Sequence, residues 1–596
     1  MIKKFFLAIS VLTTTFLSLA QTITYQVNLD NITHHELFIS VDFTDLSMDT
    51  LTLVMPDASP GRYASHSFAK NVYEEAAVGE DGEELELIRS SPITWEIPLE
   101  GKKEVKVTYT LYANHGDGTY SGVDSRKLHL NMPATFLYSE ELDDRPISLQ
   151  FDLSEYPEWS VATQLPQKST NIFSAPNYYY FFDSPTFVGK IERRSWQVDG
   201  QTIEIAMMHE GSEKELDDYT DWVKKVVETQ RLVFGELPTF DFGKYTFLAA
   251  YNPYVFGDGM EHRNSTICSS RSSLATNASG LIGTISHEFF HAWNVERIRP
   301  ASLEPFDFSQ VNMSDALWFA EGFTSYYDDL VLCRAGIISP EKYIEGLASG
   351  LNYVINSPAR NMRSPIEMSH NAPFVDAANA NDETNYLNNF VSYYSYGSVL
   401  GLMLDLSIRK EFKNLTLDDF MQNVWLAYGK TEIPYTIPDL QQVLTNTTGD
   451  AAFAQRFFEE SIYDGHLPDF QELLSPMGVS LTLVDDTDVY FGRTGIDKKG
   501  KLLTAVKRGT GWYEAGVEKG DTNITLDGKN ITDQETFRQV KKTLEIGKSY
   551  EVTFEQLGVW RSGIFTATQD PAMKTQLVEK SKKKEIKNRS AWLWID

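Results

Sequence analysis

Cysteine is nearly absent from this chain of 596 residues: Cys268 and Cys333 are the only two. A disulfide-stapled scaffold is therefore excluded, and a chain of this length buries a large core without staples. One bridge between the two, or two buried thiols, both remain open, because spacing in sequence does not fix a Cα separation. Positive charge is also short. Lys and Arg number 53 against 83 Asp and Glu, a net charge of −30. A surface that acidic repels phosphate backbones and argues against nucleic acid as a partner. Beyond the N-terminus no stretch reaches the roughly 18 apolar residues of a membrane span. No internal repeat is present. Apolar residues at 42% and charged residues at 23% exclude wholesale disorder, collagen and coiled coil. Aromatics, by contrast, are plentiful at 13%, which points to β-rich regions or a carved pocket.

The first twenty residues read as an export signal. Met1-Ile2-Lys3-Lys4 is a short basic region, Phe5 to Leu17 is apolar, and Ser18-Leu19-Ala20 before Gln21 suits cleavage. The mature chain is expected to start near Gln21 and to be periplasmic or secreted. No cysteine follows the expected cut, so a bacterial lipid anchor is not indicated.

Residues 21–190 read as a β-rich domain. Alternation is clear in Thr22 to Val27 and in Glu104 to Leu111, and turn signals such as Ser59-Pro60-Gly61 recur. From about residue 213 the period becomes helical. Helices are expected over Asp217 to Phe234, Leu281 to Val295, Ser314 or Asp315 to just before Gly336, and Tyr393 to Phe412. Thr416-Leu417-Asp418-Asp419 reads as a capping box, and Pro438 as a first-turn proline. Residues 191–470 thus form a second, mostly helical domain. Residues 476–567 are mixed, with short strands at Leu502 to Val506, Thr522 to Leu526 and Tyr550 to Phe554 around a helix near Gln534 to Leu544. Residues 568–596 read as a basic tail with an apolar end, Trp592-Leu593-Trp594-Ile595. The fold class is multidomain α+β.

The chemistry lies in His287-Glu288-Phe289-Phe290-His291. Residues four apart share a helix face, so two imidazoles can grip one Zn²⁺ while Glu288 reaches the water beside it. A catalytic zinc takes three protein ligands and keeps one position open. Glu296, five residues past His291, is rotated roughly 140° off the ligand face at about 100° per residue. Glu304 lies in a Pro-flanked loop and is not excluded by geometry. Glu321 sits in the run Leu317-Trp318-Phe319-Ala320-Glu321-Gly322-Phe323. A carboxylate among such neighbours is costly unless a cation neutralises it, so Glu321 is favoured.

H-E-x-x-H followed on a later helix by W-F-A-E-G-F resembles the gluzincin aminopeptidases. The run from His287 to Pro300, H-E-F-F-H-A-W-N-V-E-R-I-R-P, is most similar to the glycyl aminopeptidase family, as is Met55-Pro56-Asp57-Ala58-Ser59-Pro60-Gly61-Arg62-Tyr63 near the start. That resemblance implies a β-rich N-terminal domain, a thermolysin-like catalytic domain and a C-terminal PDZ domain. Ala515-Gly516-Val517-Glu518-Lys519-Gly520-Asp521, followed by Leu526-Asp527-Gly528, resembles the bacterial PDZ signature. Such a domain takes a peptide or a protein C-terminus along a sheet edge.

Two more motifs carry over. Gly257-Asp258-Gly259-Met260-Glu261-His262 resembles the exopeptidase G-x-M-E-N motif, with Asp258 where glycine is usual. Glu261 is then implied to bind the substrate's α-amine, and Gly259 and Met260 to line its backbone. Tyr393-Tyr394-Ser395-Tyr396-Gly397 resembles the Y-x-K-G stretch, with Tyr396 where lysine is usual. The oxyanion role then falls on Tyr394, with Tyr393 as rival. Met260 and Trp293 are candidate pocket walls, and core packing explains them equally well. The function implied is an exported aminopeptidase with one zinc that removes small N-terminal residues from peptides. The alternatives are a zinc endopeptidase, or a peptide-binding protein centred on the PDZ domain with a vestigial metal site.

Overall fold

A computed structural model describes residues 21–375 and 383–595. The expected export signal lies outside the described residues. No helix among them is long and apolar enough to cross a membrane.

The N-terminal domain is β-rich, as its alternation predicts. Its main sheet has eight strands. Ile23–Asn28 lies near the middle, parallel to Ile147–Phe151 on one side and antiparallel to Glu36–Phe43 on the other, which in turn pairs with Val105–Tyr112. Smaller four- and three-stranded sheets close the domain around Tyr25, Trp95, Tyr109, Phe136 and Phe181, all buried. Phe306 and Phe308, from the second domain, pack into this same core. The Phe308 carbonyl accepts the backbone N–H of Asp57 and of Ala58 at 2.8 and 3.2 Å. That contact pins the segment carrying Ser59 to Tyr63. The chain then reverses in a turn closed by Arg62 N–H donating to Ser59 O at 3.0 Å. Gly61 takes φ +76° there, which suits glycine at the third position of a type II turn.

The second domain opens on a sheet of five strands: β1 (Glu192–Val198), β2 (Gln201–His209), β3 (Lys244–Tyr251), β4 (Asp258–His262) and β5 (Ser265–Ser270), in the order β1-β2-β3-β5-β4. Helical reading from residue 213 passes over the last three strands. Tyr245 to Tyr251 is buried on both faces and, apart from Thr246, is apolar or aromatic, so it shows no period of two. The edge strand β4 carries the exopeptidase-like motif.

The helices follow. α1 (Glu213–Phe234) ends at Gly235 in the left-handed region. α2 (Leu274–Phe290) begins earlier and stops sooner than expected, with His291 at its C-cap and the chain already turning. The expected single helix from Ser314 is two: α3 (Leu317–Ala320) and α4 (Gly322–Arg334), meeting at Glu321. The Ser314 hydroxyl accepts the N–H of Ala316 instead of capping a first turn, so the helix starts later. α5 (Pro340–Ile355), α6 (Glu383–Asn389) and α7 (Tyr393–Glu411) come next. α8 (Leu417–Val424) opens on the capping box of Thr416 and Asp419, and α9 (Ile437–Thr448) has Pro438 in its first turn.

At the C-terminus, β6 (Val479–Leu483) leads into a small domain. A sheet of β7 (Thr522–Leu526), β8 (Lys529–Asn530), β9 (Ser549–Gln556) and β10 (Val559–Thr566) packs with α10 (Gln534–Lys541) around Phe491, Trp512, Phe537 and Phe565. The expected strand Leu502 to Val506 does not form: only Leu502 bridges, to Ile496. The carbonyl of Val506 and the N–H of Arg508 are instead held by the Asn388 amide at 3.0 and 2.7 Å. The basic tail is ordered. β11 (Met573–Leu577) pairs with β6, and α11 (Lys583–Leu593) docks Trp592 and Leu593, both fully buried, into the core of the second domain. Lys582, Lys583, Lys584 and Lys587 face solvent.

Candidate active site

His287 and His291 project one helical turn apart from α2, with Nε2 atoms 3.2 Å apart. Glu321 Oε2 lies 3.7 Å from His287 Nε2 and 3.3 Å from His291 Nε2. Donors about 2.0–2.1 Å from a tetrahedral ion stand roughly 3.4 Å apart, so this triangle fits zinc. The second ring nitrogens fix which atoms point inward. His291 Nδ1 bonds the Asn294 carbonyl at 2.6 Å, and His287 Nδ1 faces Asp328 Oδ2 at 3.4 Å. The other oxygen of Glu321 accepts a 2.6 Å hydrogen bond from Tyr63 of the N-terminal domain.

Titration reflects a site shaped for positive charge. Burial works against protonation of His291, but Glu321 and Glu261 lift it to about 9. His287 is likewise held well above its ordinary value against burial, by Asp328 and Glu321. Burial alone would raise Glu321, yet the two imidazoles keep it well below the carboxylate range. Glu288 goes the other way. Burial pushes its carboxyl up to about 8, moderated by the same histidines, and Oε2 has no hydrogen-bond partner among the described residues. Glu304 joins Arg299 and Tyr179 instead of this cluster. Glu296 lines a separate cavity with Arg299 and Tyr179.

These groups face a cleft of about 440 Å³. Glu261 is buried on β4, its carboxylate within 4.8 Å of ligand atoms of both Glu288 and His291. Gly259 lies directly over the base: a Cβ there would stand 2.1 Å from Glu288 Oε1. Gly61 is equally constrained, because a Cβ would meet Met260 Sδ at 2.4 Å and Glu261 Oε2 at 2.9 Å. Asp258, in place of a glycine, leaves the strand intact. Its carboxylate accepts Arg62 Nη2 and the N–H of Gly118 (2.9 Å), both from the N-terminal domain.

Tyr394 lines the cleft, its ring centroid 6.0 Å from that of His287. Tyr393 is turned into the core against Tyr63 and Phe390, and the Tyr396 hydroxyl donates to Gly465 O at 3.1 Å. Met260 does not line the cleft: its side chain is fully buried with Met208, Leu248 and Ile267. Trp293 is core as well, stacked on Phe234 at 4.7 Å. Cys268 and Cys333 are both buried and free, so no bridge forms.

Sequence reasoning missed Tyr63, Asp328 and Arg62 as site residues. Asp328 stood within reach, seven residues and two turns after Glu321 on the same helix face. Tyr63 and Arg62 lie in a segment read only as a domain marker.

Residues 280–400, which hold the whole metal triad, match the M61 glycyl aminopeptidase domain, and residues 24–190 match the Peptidase M61 N-terminal domain. The chain belongs to the M61 glycyl aminopeptidase family. No curated protein matches it. Among solved structures, an aminopeptidase N family protein from Idiomarina loihiensis shares 24% identity and a TM-score of 0.83, over 96% of this chain and 100% of that one. It therefore shares the fold across nearly the whole length. An M1 zinc metallopeptidase from Deinococcus radiodurans aligns at 14% identity and a TM-score of 0.43, over 75% of this chain and 95% of that one.

Proposed function

We propose that this M61 family member is an exported zinc aminopeptidase that removes small N-terminal residues, glycine or alanine, from peptides. The observation that carries the reading is the convergence of His287, His291 and Glu321 at tetrahedral spacing, with the Glu288 and Glu261 carboxylates beside them. Export rests on the character of residues 1–20. The C-terminal domain is assigned a PDZ-type peptide-binding role on its Ala515-to-Asp521 signature.

A zinc ion held by the triad supplies Lewis acidity to the attacking water and to the scissile carbonyl. Glu288 takes the water's proton and returns it to the leaving amine, a task suited to a carboxyl lifted by burial. Glu261 pairs with the substrate's ammonium group and so sets the cut one residue from the N-terminus. Tyr394 donates a hydrogen bond to the oxyanion as it develops. The main chain at Gly259 lines the substrate, and its missing Cβ leaves room for Glu288.

The test is zinc content together with hydrolysis of Gly-, Ala- and Leu-p-nitroanilide. About one zinc per chain and preference for Gly or Ala are expected. Glu288→Gln should cost about 10³-fold in kcat, and Glu261→Gln about 10²-fold in kcat/KM. An enzyme indifferent to Glu261→Gln is an endopeptidase, and zinc-free, inactive protein that still binds peptides is a binding module.

A further inference from the structure

We propose that Arg62, reaching in from the N-terminal domain, forms the far end of the leaving-group subsite and receives the free C-terminal carboxylate of short peptide substrates. The inference rests on the aminopeptidase reading and names the substrate class.

Direction along the cleft follows from β4. This strand is a sheet edge, so an extended peptide can run along it, although the Gly259 N–H and carbonyl are already taken by Asp258 Oδ1 at 3.0 Å and by Arg62 Nη2 at 3.1 Å. Glu261, which takes the amine, is near one end of it. Glu288 sits beneath Gly259, two residues back. A peptide anchored at Glu261 therefore presents its scissile bond near Gly259, and the part that leaves runs on past Asp258. At about 3.3 Å per residue, Glu261 to Asp258 spans roughly 10 Å, the reach of a di- or tripeptide.

Arg62 stands at that end. Arg62 lines the cleft, with Nε donating to Thr119 Oγ1 at 2.7 Å and Nη2 to the Gly259 carbonyl at 3.1 Å and to Asp258. The bond to Gly259 O caps the open edge, so strand pairing with substrate ends there. The Asp258 carboxylate is engaged by Arg62 and by Gly118 N–H, which makes it an orienting group for the arginine. The opposite side is roomy: a Cβ on Gly283 would meet nothing within 4 Å.

Charge makes the case specific. Asp258, Glu261, Glu288, Glu321 and Asp328 all line the cleft, and among the described residues that line it Arg62 is the one Lys or Arg. A peptide carboxylate arriving beside Asp258 is repelled unless a cation meets it, and guanidinium suits carboxylate best. Glu261 and Arg62 together then read both ends of a short peptide.

The experiment compares Gly-Ala-Ala as free acid and as C-terminal amide, with Gly-p-nitroanilide alongside. Wild type should prefer the acid by about tenfold in kcat/KM, mainly through KM. In Arg62→Met that ratio should fall towards one, and in Arg62→Lys part of it should survive. Equal rates for acid and amide in wild type overturn the inference while leaving the aminopeptidase reading intact. So does a preference that persists undiminished in Arg62→Met. The wild-type comparison stands even if Arg62→Met, which also loses a domain contact, folds poorly. Failure to hydrolyse any of the three substrates overturns the aminopeptidase reading, and this inference with it.

Discussion

Both flanking domains pack on the catalytic domain, yet they reach the site in opposite ways. The N-terminal domain enters it. One turn places Gly61 against Glu261, Arg62 in the cleft and Tyr63 on Glu321. The C-terminal domain and the segment after it stay behind it. Among the described residues none beyond Tyr394 lines the cleft. Their contacts are to the rear of the helices: Thr575 to the Ile344 carbonyl on α5, the Asn388 amide between Val506 and Arg508, and Trp592 beneath α4. The difference separates a domain that belongs to the active site from one that braces the scaffold beneath it.

Trp592 is the sharpest place to break that comparison. Its indole N–H donates to the Tyr326 hydroxyl at 3.0 Å, Tyr326 donates to Asp405 at 2.7 Å, and Arg334 donates to the Trp592 carbonyl at 3.2 Å. Trp592→Ala removes a fully buried side chain together with its hydrogen bond to Tyr326, so it should cost about 3–5 kcal/mol of stability. Denaturant titration reads that loss. The kcat of the protein that remains folded and zinc-loaded should stay at the wild-type value. A tenfold fall in that kcat would mean that the C-terminal segment shapes the site after all.

Tyr63→Phe tests the other side, with a smaller expected effect. It deletes one hydroxyl, 258 residues away in sequence from the carboxylate it serves. The buried Glu321 then loses the bond that orients it. Zinc affinity should fall about 10–100-fold, read by competition with a chelator. Unchanged affinity would reduce the N-terminal turn to a lid with no hold on the metal.

What the sequence disclosed follows the same divide. His287, Glu288 and His291 were legible because helical spacing alone puts them on one face. Glu321 was legible because an acid amid Trp318, Phe319 and Phe323 demands a counter-charge. The β character of residues 21–190 showed in simple alternation, and the helix after Thr416 in its cap. Contacts made by docking one domain on another leave no local period. Hence Tyr63 and Arg62 passed as a motif without a role, and Asp258, standing where glycine is usual, gave no sign that it holds Arg62. Leu502 to Val506 has strand composition, but Asn388 takes the backbone groups that a neighbouring strand would have used. Met260 was carried over as a substrate contact. The family pattern marks its backbone position, while its side chain fills a core pocket beneath the sheet.

The smallest effect is electrostatic and lies where the N-terminal domain meets the catalytic one. Glu296 shares a cavity of about 210 Å³ with Pro60, Tyr179, Arg299 and Glu304. Burial, reinforced by Asp183, pushes its carboxyl up to about 7 against the pull of Arg299. The folded state therefore holds a proton that the unfolded chain releases near 4.5. Between those values the native protein binds more protons, so this group's contribution to stability falls as pH rises. The cost is absent below about 4.5 and complete above about 7. Glu296→Gln keeps the shape and removes the charge. It should stabilise the protein by roughly 1–2 kcal/mol at pH 8 and by far less at pH 5. Melting curves of both proteins at the two pH values check this. An equal difference at both would place the ionisation of Glu296 elsewhere and leave this domain seam electrically neutral, no different from the rear contacts of the C-terminal domain.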